Sequence, residues 1–561
     1  MPDRSYSSKN SLIAHQLTYQ LPNGLSLFTE LNVSLPVGIT GLVGRNGCGK
    51  SILARLLARD IRPGSGHVDY GGMSPDRIGY FSQVDDALSD ASTSIADYLG
   101  LTDKLRALGE IEQGSCEPCW FERLADDWQI RERLNEQLSQ LNLPQHPDRP
   151  LSQLSGGQQT RLRLWNIFRQ PEAFSLLILD EPSNHLDQQG RQWLMAQLKA
   201  FQGAVLLVSH DFTLLNQMDR IWELDRNGIT EYGGNFDFYR KEKAAQRSAI
   251  LNEQKDLEKV IKKQSAEHQK NLEKAQQKAA QGNRLRKSGS QSKLILDAKK
   301  EKAGGHLKSL SRRQEVRDAQ LNGQKEQLRQ RLPDETEIRI SLNGFSSHTG
   351  GLASVKAPGK PQKLLARLIR YRLPRGSDQP ISLQISSRDR IYLRGSNGSG
   401  KSTLFKLLAG LPLDEPDHPD KAQTFYSHHS AFCYLDQHFN LLNNTASLLE
   451  QVQKARPALT EAEARTLLAT IGFRRERVFQ RSGELSGGEK MRLALQLLSL
   501  RNQNNVTGAF LLLDEPDNHL DLAAKELLAQ ALVDYRGGFA LITHDEGFAQ
   551  ACGVQRECQL S

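Results

Sequence analysis

Two lysines, Lys50 and Lys401, each close a run in which glycine recurs at short intervals: GRNGCGKS from Gly44 to Ser51 and GSNGSGKS from Gly395 to Ser402. Both satisfy G-x-x-x-x-G-K-[ST]. That spacing lets backbone amides curl around a phosphate while the lysine reaches the β- and γ-phosphates and the final hydroxyl holds Mg2+. Gly44, Asn46, Gly47, Gly49, Lys50 and Ser51, with Gly395, Asn397, Gly398, Gly400, Lys401 and Ser402, are the expected nucleotide-binding residues. A plain glycine turn would explain one such loop. It does not explain two, each after an apolar β-type run (VGITGLVG, DRIYLRG) and each opening onto helix-like sequence (SILARLLARD, STLFKLLAGL). Phosphate binding at a helix N-terminus requires that context.

Acidic residues recur in the same order. LLILDE and FLLLDE read as continuous apolar runs of buried parallel strands, each ending in adjacent carboxylates. Side chains alternate along a strand, so the two carboxylates do different work. Asp180 and Asp514 are expected to hold Mg2+, and Glu181 and Glu515 to polarise an attacking water. A solvated acidic turn is the plainer reading of an isolated DE pair, but a phosphate loop precedes it in both copies. His210 (AVLLVSH) and His544 (FALITH) follow short β-rich runs and are candidate γ-phosphate sensors. Gln83 (GYFSQ) and Gln437 (CYLDQ) would contact the metal or the lytic water.

Glycine loop, glutamine, LSGGQ (Leu154 to Gln158) or LSGGE (Leu485 to Glu489), acidic phrase and histidine occur in one order in both halves, so the chain contains two copies of one domain. Its 561 residues allow two or three domains, and 38% hydrophobic with 25% charged is ordinary for a soluble protein. No run is long and apolar enough for a membrane span, and the start MPDRSYSSKN has no apolar signal stretch; a cytoplasmic location is expected. Six scattered cysteines, one of them Cys48 in a phosphate loop, fit a reducing compartment. The pair Cys116 and Cys119 has no second pair to complete a metal site and reads as an incidental loop.

Between the copies the charge changes character. Residues 240–332 carry 25 Lys and Arg against 11 Asp and Glu, a balance of +14 in a chain whose total is +8, so the rest is net acidic at −6. From Phe238 to Ala280 the pattern is helical, with Ile250, Leu257, Ile261, His268, Leu272 and Ala279 on one seam. QGNRLRKSGSQS (Gln281 to Ser292) is expected to break it, and a second helical run continues to Leu332 with Leu310, Leu321, Leu328 and Leu332 on a sparse seam. Two antiparallel helices of about forty residues make a hairpin arm of about 60 Å. A solvated spacer is the plain reading of such an arm; its charge favours a polyanion, and its scarcity of aromatics favours phosphate and shape contacts with folded RNA over base stacking.

The signature LSGGQ, lying between phosphate loop and acidic strand, resembles the ATP-binding cassette superfamily. The resemblance implies an α/β fold class, with two P-loop nucleotide-binding domains in tandem, and a head-to-tail sandwich. Ser486, Gly487 and Gly488 would complete the ATP site built on Lys50, and Ser155, Gly156 and Gly157 the site built on Lys401. Tyr19 and Tyr371 precede the loops at similar distances and would stack on adenine. Tandem cassettes without a membrane domain, with NHLD after both acidic phrases, resemble the ABC-F group. The expected organisation is a cassette over 1–239, a basic helical-hairpin linker over 240–332 and a second cassette over 333–561. The group usually has threonine before NHLD, where this chain has Ser183 and Asp517, and the second signature ends in Glu489. That puts equal activity of the two sites in question. Residues 333–363 are rich in Gly, Ser and Pro and weakly patterned.

What the resemblance implies is an ATPase with ATP and Mg2+ as cofactors, acting as a monomer by intramolecular cassette pairing. Its partner would be the ribosome, rRNA and tRNA alike, with the linker in the exit-tRNA site and its tip towards the peptidyl-tRNA. No membrane partner is implied. Housekeeping, rescue of stalled ribosomes and antibiotic protection all stay open. A fused ATPase subunit of a membrane transporter is the second reading, which the basic arm disfavours. A DNA-processing cassette ATPase is the third. The stretch from Gln83 to Leu154 is 23 residues longer than its counterpart from Gln437 to Leu485, which suggests a modest extension.

Overall fold

The apolar runs that precede the motif residues fold as strands, and their order across the sheet gathers the motifs. The computed structural model describes residues 10–22, 24, 26–82, 93–184, 186–225, 227–287, 312, 316–328, 363–374, 379–413, 424–501, 509–518 and 520–560. They fall into two compact units, one drawn from 1–237 and 338–561, the other from 238–337.

In the first copy the strands are β1 (Asn10–Gln20), β2 (Ser26–Pro36), β3 (Gly38–Gly44), β4 (Ser65–Asp69), β5 (Ile78–Phe81), β6 (Leu176–Asp180), β7 (Ala204–Val208), β8 (Arg220–Asp225) and β9 (Gly228–Gly233). A six-stranded sheet runs β5-β6-β7-β3-β8-β9, parallel except for the β8–β9 hairpin, beside a small antiparallel sheet β2-β1-β4. The second copy repeats the plan with β10 (Leu364–Tyr371), β11 (Ile381–Ser386), β12 (Arg390–Gly395), β13 (Thr424–Ser427), β14 (Phe432–Leu435), β15 (Phe510–Asp514), β16 (Phe539–Ile542) and β17 (Arg556–Leu560). Its parallel sheet runs β14-β15-β16-β12-β17 and its antiparallel sheet β11-β10-β13.

β6, β7, β15 and β16 are buried at every residue, which is why they read as unbroken apolar runs and not as alternating ones. Each copy has its own core between the two sheets and the helix that follows its phosphate loop, around Leu42, Leu53 and Leu206 in one and Leu393, Leu404 and Ala540 in the other. The longer stretch after Gln83 folds, in its described part, into the short helices Thr102–Glu112, Pro118–Leu124 and Ile130–Gln140 around a small cluster of Ala107, Leu108, Leu124 and Ile130.

The second unit contains most of a single helix, Phe236–Lys287, of 52 residues. The break expected from Gln281 does not begin there: the helix continues through Lys287. Gln, Arg, Leu and Lys are good helix formers, and the lone Gly282 costs only about 1 kcal/mol. Ile250, Gln254, Leu257, Ile261 and Gln264 are half-buried in alternating steps of four and three while their neighbours are exposed, a narrow apolar seam. The later run is helical over 316–328, with Leu328 buried, and Lys325 Nζ lies 3.3 Å from Glu258 Oε1. Ser288 to Ser292, Leu310, Leu332 and residues 333–362 lie outside the described residues.

Candidate functional site

A parallel sheet ends all its strands on one edge, and three neighbours in it, β6, β7 and β3, deliver the motif residues there. Gly44 ends β3, and the helix Lys50–Leu57 starts after Gly49, whose backbone is left-handed at φ 102°. A Cβ there would sit 3.2 Å from the Phe28 ring. Lys50 Nζ donates to the carbonyls of Gly44 (2.9 Å) and Arg45 (3.0 Å), and Lys401 Nζ to those of Gly395 and Ser396 (2.8 Å each). Both ammonium groups are thereby held over loops whose amides face a helix N-terminus, the arrangement that binds phosphate.

Asp180 is the last residue of β6 and Glu181 the next; Asp514 and Glu515 stand likewise after β15. Both glutamates have left-handed backbone, φ 51° and 46°. That conformation is costly for a residue with a Cβ, and the fixed bonds from Glu181 N–H to the Val208 carbonyl and from Glu515 N–H to the Ile542 carbonyl, 2.9 Å each, hold it. His210 Nε2 lies 3.5 Å from Glu181 Oε1, and His544 Nε2 lies 3.2 Å from Glu515 Oε1.

The two sites differ electrostatically. Burial pushes the Glu181 carboxyl up to about 7 against the pull of Lys50. Burial also raises Glu515, but bonds from His544 and Asn518 and the charge of Lys401 outweigh it and hold that carboxyl below its ordinary value. Burial, aided by Lys50 and Lys525, keeps His210 well below the usual imidazole range and therefore neutral.

Ser51 hydrogen-bonds Asp180, whose buried Oδ1 has no hydrogen-bond partner among the described residues. Ser402 hydrogen-bonds Asp514, and Tyr434 Oη donates to Asp514 Oδ2 at 2.9 Å. A hydroxyl beside a buried carboxylate, next to a phosphate loop, is a donor set that fits a small hard cation completing its shell from phosphate and water. No group of three or more His, Cys, Asp or Glu side chains could hold a metal among the described residues, and Cys116 and Cys119 are exposed.

A cavity opens around Lys50, Ser51, Asp180, Glu181 and His210, and its far wall is built by the other copy: Asp517, Asn518, Leu520 and Lys525. Asn46 N–H donates to Asp521 Oδ2 across the seam at 3.1 Å. Ser486, Gly487 and Gly488, expected to pair with the Lys50 loop, are not among the residues that line the cavity, but a Cβ on Gly488 would lie 3.2 Å from Ala524, in the helix whose cap is that same Asp521. At this cavity the copies meet through the loops that follow β15 and β16. Ser486 Oγ is used locally, donating to Glu489 Oε2 at 3.0 Å, and Ser155 accepts from Gln158 N–H in the matching capping box. Gln and Glu both serve that cap, which accounts for the altered ending of the second signature.

Of the tyrosine expectations, the one on Tyr371 changes. Tyr371 is 1% exposed, packed against Phe425 in the core, and offers no face to a base. Tyr19 is half-buried beside Phe28, and Leu21 and Leu27 line the cavity. Aromatics in half-buried strands pack on their own sheet. Gln83 lies outside the described residues; Gln437 is half-buried just beyond β14.

Comparison with known proteins agrees with this geometry. The ABC transporter family model matches residues 28–184 and 379–518. The probable ATP-binding protein YheS of Escherichia coli is 30% identical over 90% of this chain and 72% of its own, and the putative ATP-binding protein YdiF of Bacillus subtilis 31% over 90% and 73%. The tylosin resistance ATP-binding protein TlrC of Streptomyces fradiae is 29% identical over 96% of this chain and 95% of its own. The chain is an ABC-F family ATP-binding cassette protein. It binds and hydrolyses ATP, and no helix among its described residues is long and apolar enough to cross a membrane.

The seam between the two ABC-F cassettes holds residues that motif reading missed. Arg191, in the helix Gln188–Ala200, forms an ion pair with Asp211, and Lys525, in the helix Leu522–Val533, lies 3.4 Å from Asp517 and 3.3 Å from Asp545. Asp545, fully buried, accepts from the first cassette: Phe212 N–H at 2.9 Å and Thr213 Oγ1 at 3.2 Å. Arg191 and Lys525 each stand four residues after the aspartate of NHLD, Asp187 and Asp521. That shared offset was the signal available in the repeat.

Proposed function

We propose that this ABC-F chain is a translation factor that binds the ribosome when ATP draws its cassettes together and leaves when ATP is hydrolysed. The observation that carries this reading is the 52-residue helix, mostly exposed where described, within a segment of net charge +14 in a chain whose remainder is net acidic at −6. A basic rod that releases counterions on meeting phosphates suits folded RNA and serves no purpose in a transporter subunit.

In this reading Lys50 and Lys401 bind the β- and γ-phosphates. Ser51 with Asp180, and Ser402 with Asp514, hold Mg2+, aided by Gln83 and Gln437, and the ion would neutralise charge on the phosphates. Glu181 and Glu515 orient and deprotonate the attacking water. His210 and His544, at 3.5 and 3.2 Å from those carboxylates, keep them aimed. Loss of the γ-phosphate removes the charge that both cassettes contact, so the closed form loses its bridge.

The test is co-sedimentation of the Glu181→Gln, Glu515→Gln double variant with ribosomes. Retention in the ribosome pellet only with ATP is the expected result. A protein that stays at the top of the gradient with and without ATP overturns the ribosome reading, and salt-sensitive binding to duplex DNA would then favour the DNA-processing alternative.

A further inference from the structure

The far wall of the Lys50 cavity contains an ion cluster that the nucleotide chemistry does not call for. Lys525 is 5% exposed, and its ammonium sits between the carboxylates of Asp517 and Asp545. It also lies 5.9 Å from the ring centroids of Phe212 and of Phe548, one from each cassette. A buried ammonium with two carboxylates and two aromatic faces is fully compensated and held in place. Asp517 Oδ1 has no hydrogen-bond partner among the described residues, although Asp517 is 5% exposed and lines the cavity. Arg191 and Glu181 line the same cavity, and Arg191 lies within electrostatic reach of Asp545, Asp517 and Glu515. The second cassette thus sends a buried cation, Lys525, into the cavity that holds the first cassette's glutamate, Glu181.

We propose that Lys525 is a crossed positioning residue, carried by the second cassette and governing hydrolysis in the first, at the site of Lys50. The phosphate loop grips the nucleotide from one side. The trans wall, held by this cation, sets where the γ-phosphate and the attacking water stand, through Asp517 and Asp545. Removing Lys525 leaves Asp517 and Asp545 as buried carboxylates short of a counter-charge, so the wall must shift. Nucleotide affinity, set by the loop, changes little, whereas turnover falls.

The inference rests on the assignment of Glu181 and Glu515 to the two sites, so the experiment uses backgrounds that test the assignment separately. In Glu515→Gln only the Lys50 site should hydrolyse ATP, and in Glu181→Gln only the Lys401 site. Two backgrounds that both keep the full rate would refute the assignment rather than the crossing. Lys525→Met is then added to each. A cation that only supported its own cassette would damage the Lys401 site first, because Asn518, one residue from Asp517, donates to Glu515 Oε2 at 2.6 Å. The crossed reading expects the reverse: about a tenfold loss of kcat at the Lys50 site, with KM within about threefold, and less than about a twofold change at the Lys401 site. Lys525→Arg, which keeps the charge, restores the rate. A loss confined to the Lys401 site, or equal at both, overturns the proposal. Should Lys525→Met not fold, Lys525→Gln gives the same crossed readout.

Discussion

Glu181 and Glu515 stand at the same place in their cassettes, on the same strained backbone, and ionise differently. The first is buried beside a neutral histidine and pushed up to about 7; the second is wrapped by His544 and Asn518 and held below its ordinary value. The carboxylates before them differ too, since Asp514 receives the Tyr434 hydroxyl while Asp180 Oδ1 has no hydrogen-bond partner among the described residues. A repeated motif therefore fixes which atoms are present at a site, and the packing around it decides their charge. The variants that follow separate those two contributions.

The largest difference expected is in stability. Asp187 and Asp521 both cap a helix, accepting from Gly190 N–H and Ala524 N–H at 2.9 Å. Asp187 also forms a mostly buried pair with Arg161 at 2.8 Å, whereas Asp521 faces the Asn46 amide. Asp187→Ala strands the guanidinium and should cost about 3–5 kcal/mol, against about 1 kcal/mol for the lost cap in Asp521→Ala. Denaturant titration of the two variants measures this, and equal losses would mean that the Arg161 pair adds nothing.

Metal affinity comes next. Groups that hydrogen-bond a metal ligand orient it, and removing one typically weakens binding about 10–100-fold. Tyr434→Phe should raise the Mg2+ concentration needed for half-maximal turnover at the Lys401 site by at least about tenfold. Tyr80→Phe, at the matching offset in β5, should leave the Lys50 site nearly unchanged. Mg2+ titrations in the single-site backgrounds read both.

The pH dependence should also separate the sites. A base works when deprotonated, so a carboxyl raised to about 7 gains active fraction as pH rises through 7, and one below its usual value is already ionised there. With Lys401→Ala silencing the other site, turnover at the Lys50 site should rise about tenfold from pH 6 to pH 8. The Lys401 site, isolated by Lys50→Ala, should stay flat over that range. Parallel profiles would show that packing leaves the two bases alike.

What the sequence made legible was whatever is local. The phosphate loops, the acidic strand ends and the signature caps each lie within a few residues, and their chemistry follows from spacing. The buried parallel strands were legible because no residue in them is polar until the carboxylates. Three things were not. The far wall of the Lys50 cavity joins residues more than 300 positions apart, and nothing near Asp517 or Lys525 states what they face. The linker helix outlasts its expected break because one glycine among good helix formers is a small penalty. Tyr371 carries the right residue type at a suitable distance, yet strand side chains alternate faces, and spacing alone does not say which face the nucleotide uses.

That last point yields the smallest predicted effect. If a base rests on the cavity's apolar side, the groups it meets are Leu21 and Leu27, not a tyrosine ring. Leu27→Ala should raise the KM for ATP by about fivefold, the loss expected when an apolar contact worth about 1 kcal/mol is removed. Tyr19→Leu keeps a core-filling side chain beside Phe28 and should change KM by less than about twofold, measured in the Glu515→Gln background so that only the Lys50 site reports. Tyr371 admits no such test, because its ring is part of the second cassette's core and truncation would be read as instability. A large KM effect from Tyr19→Leu with none from Leu27→Ala would put the base back on the aromatic side. It would also mean that β1 presents the other face of its ring to the nucleotide.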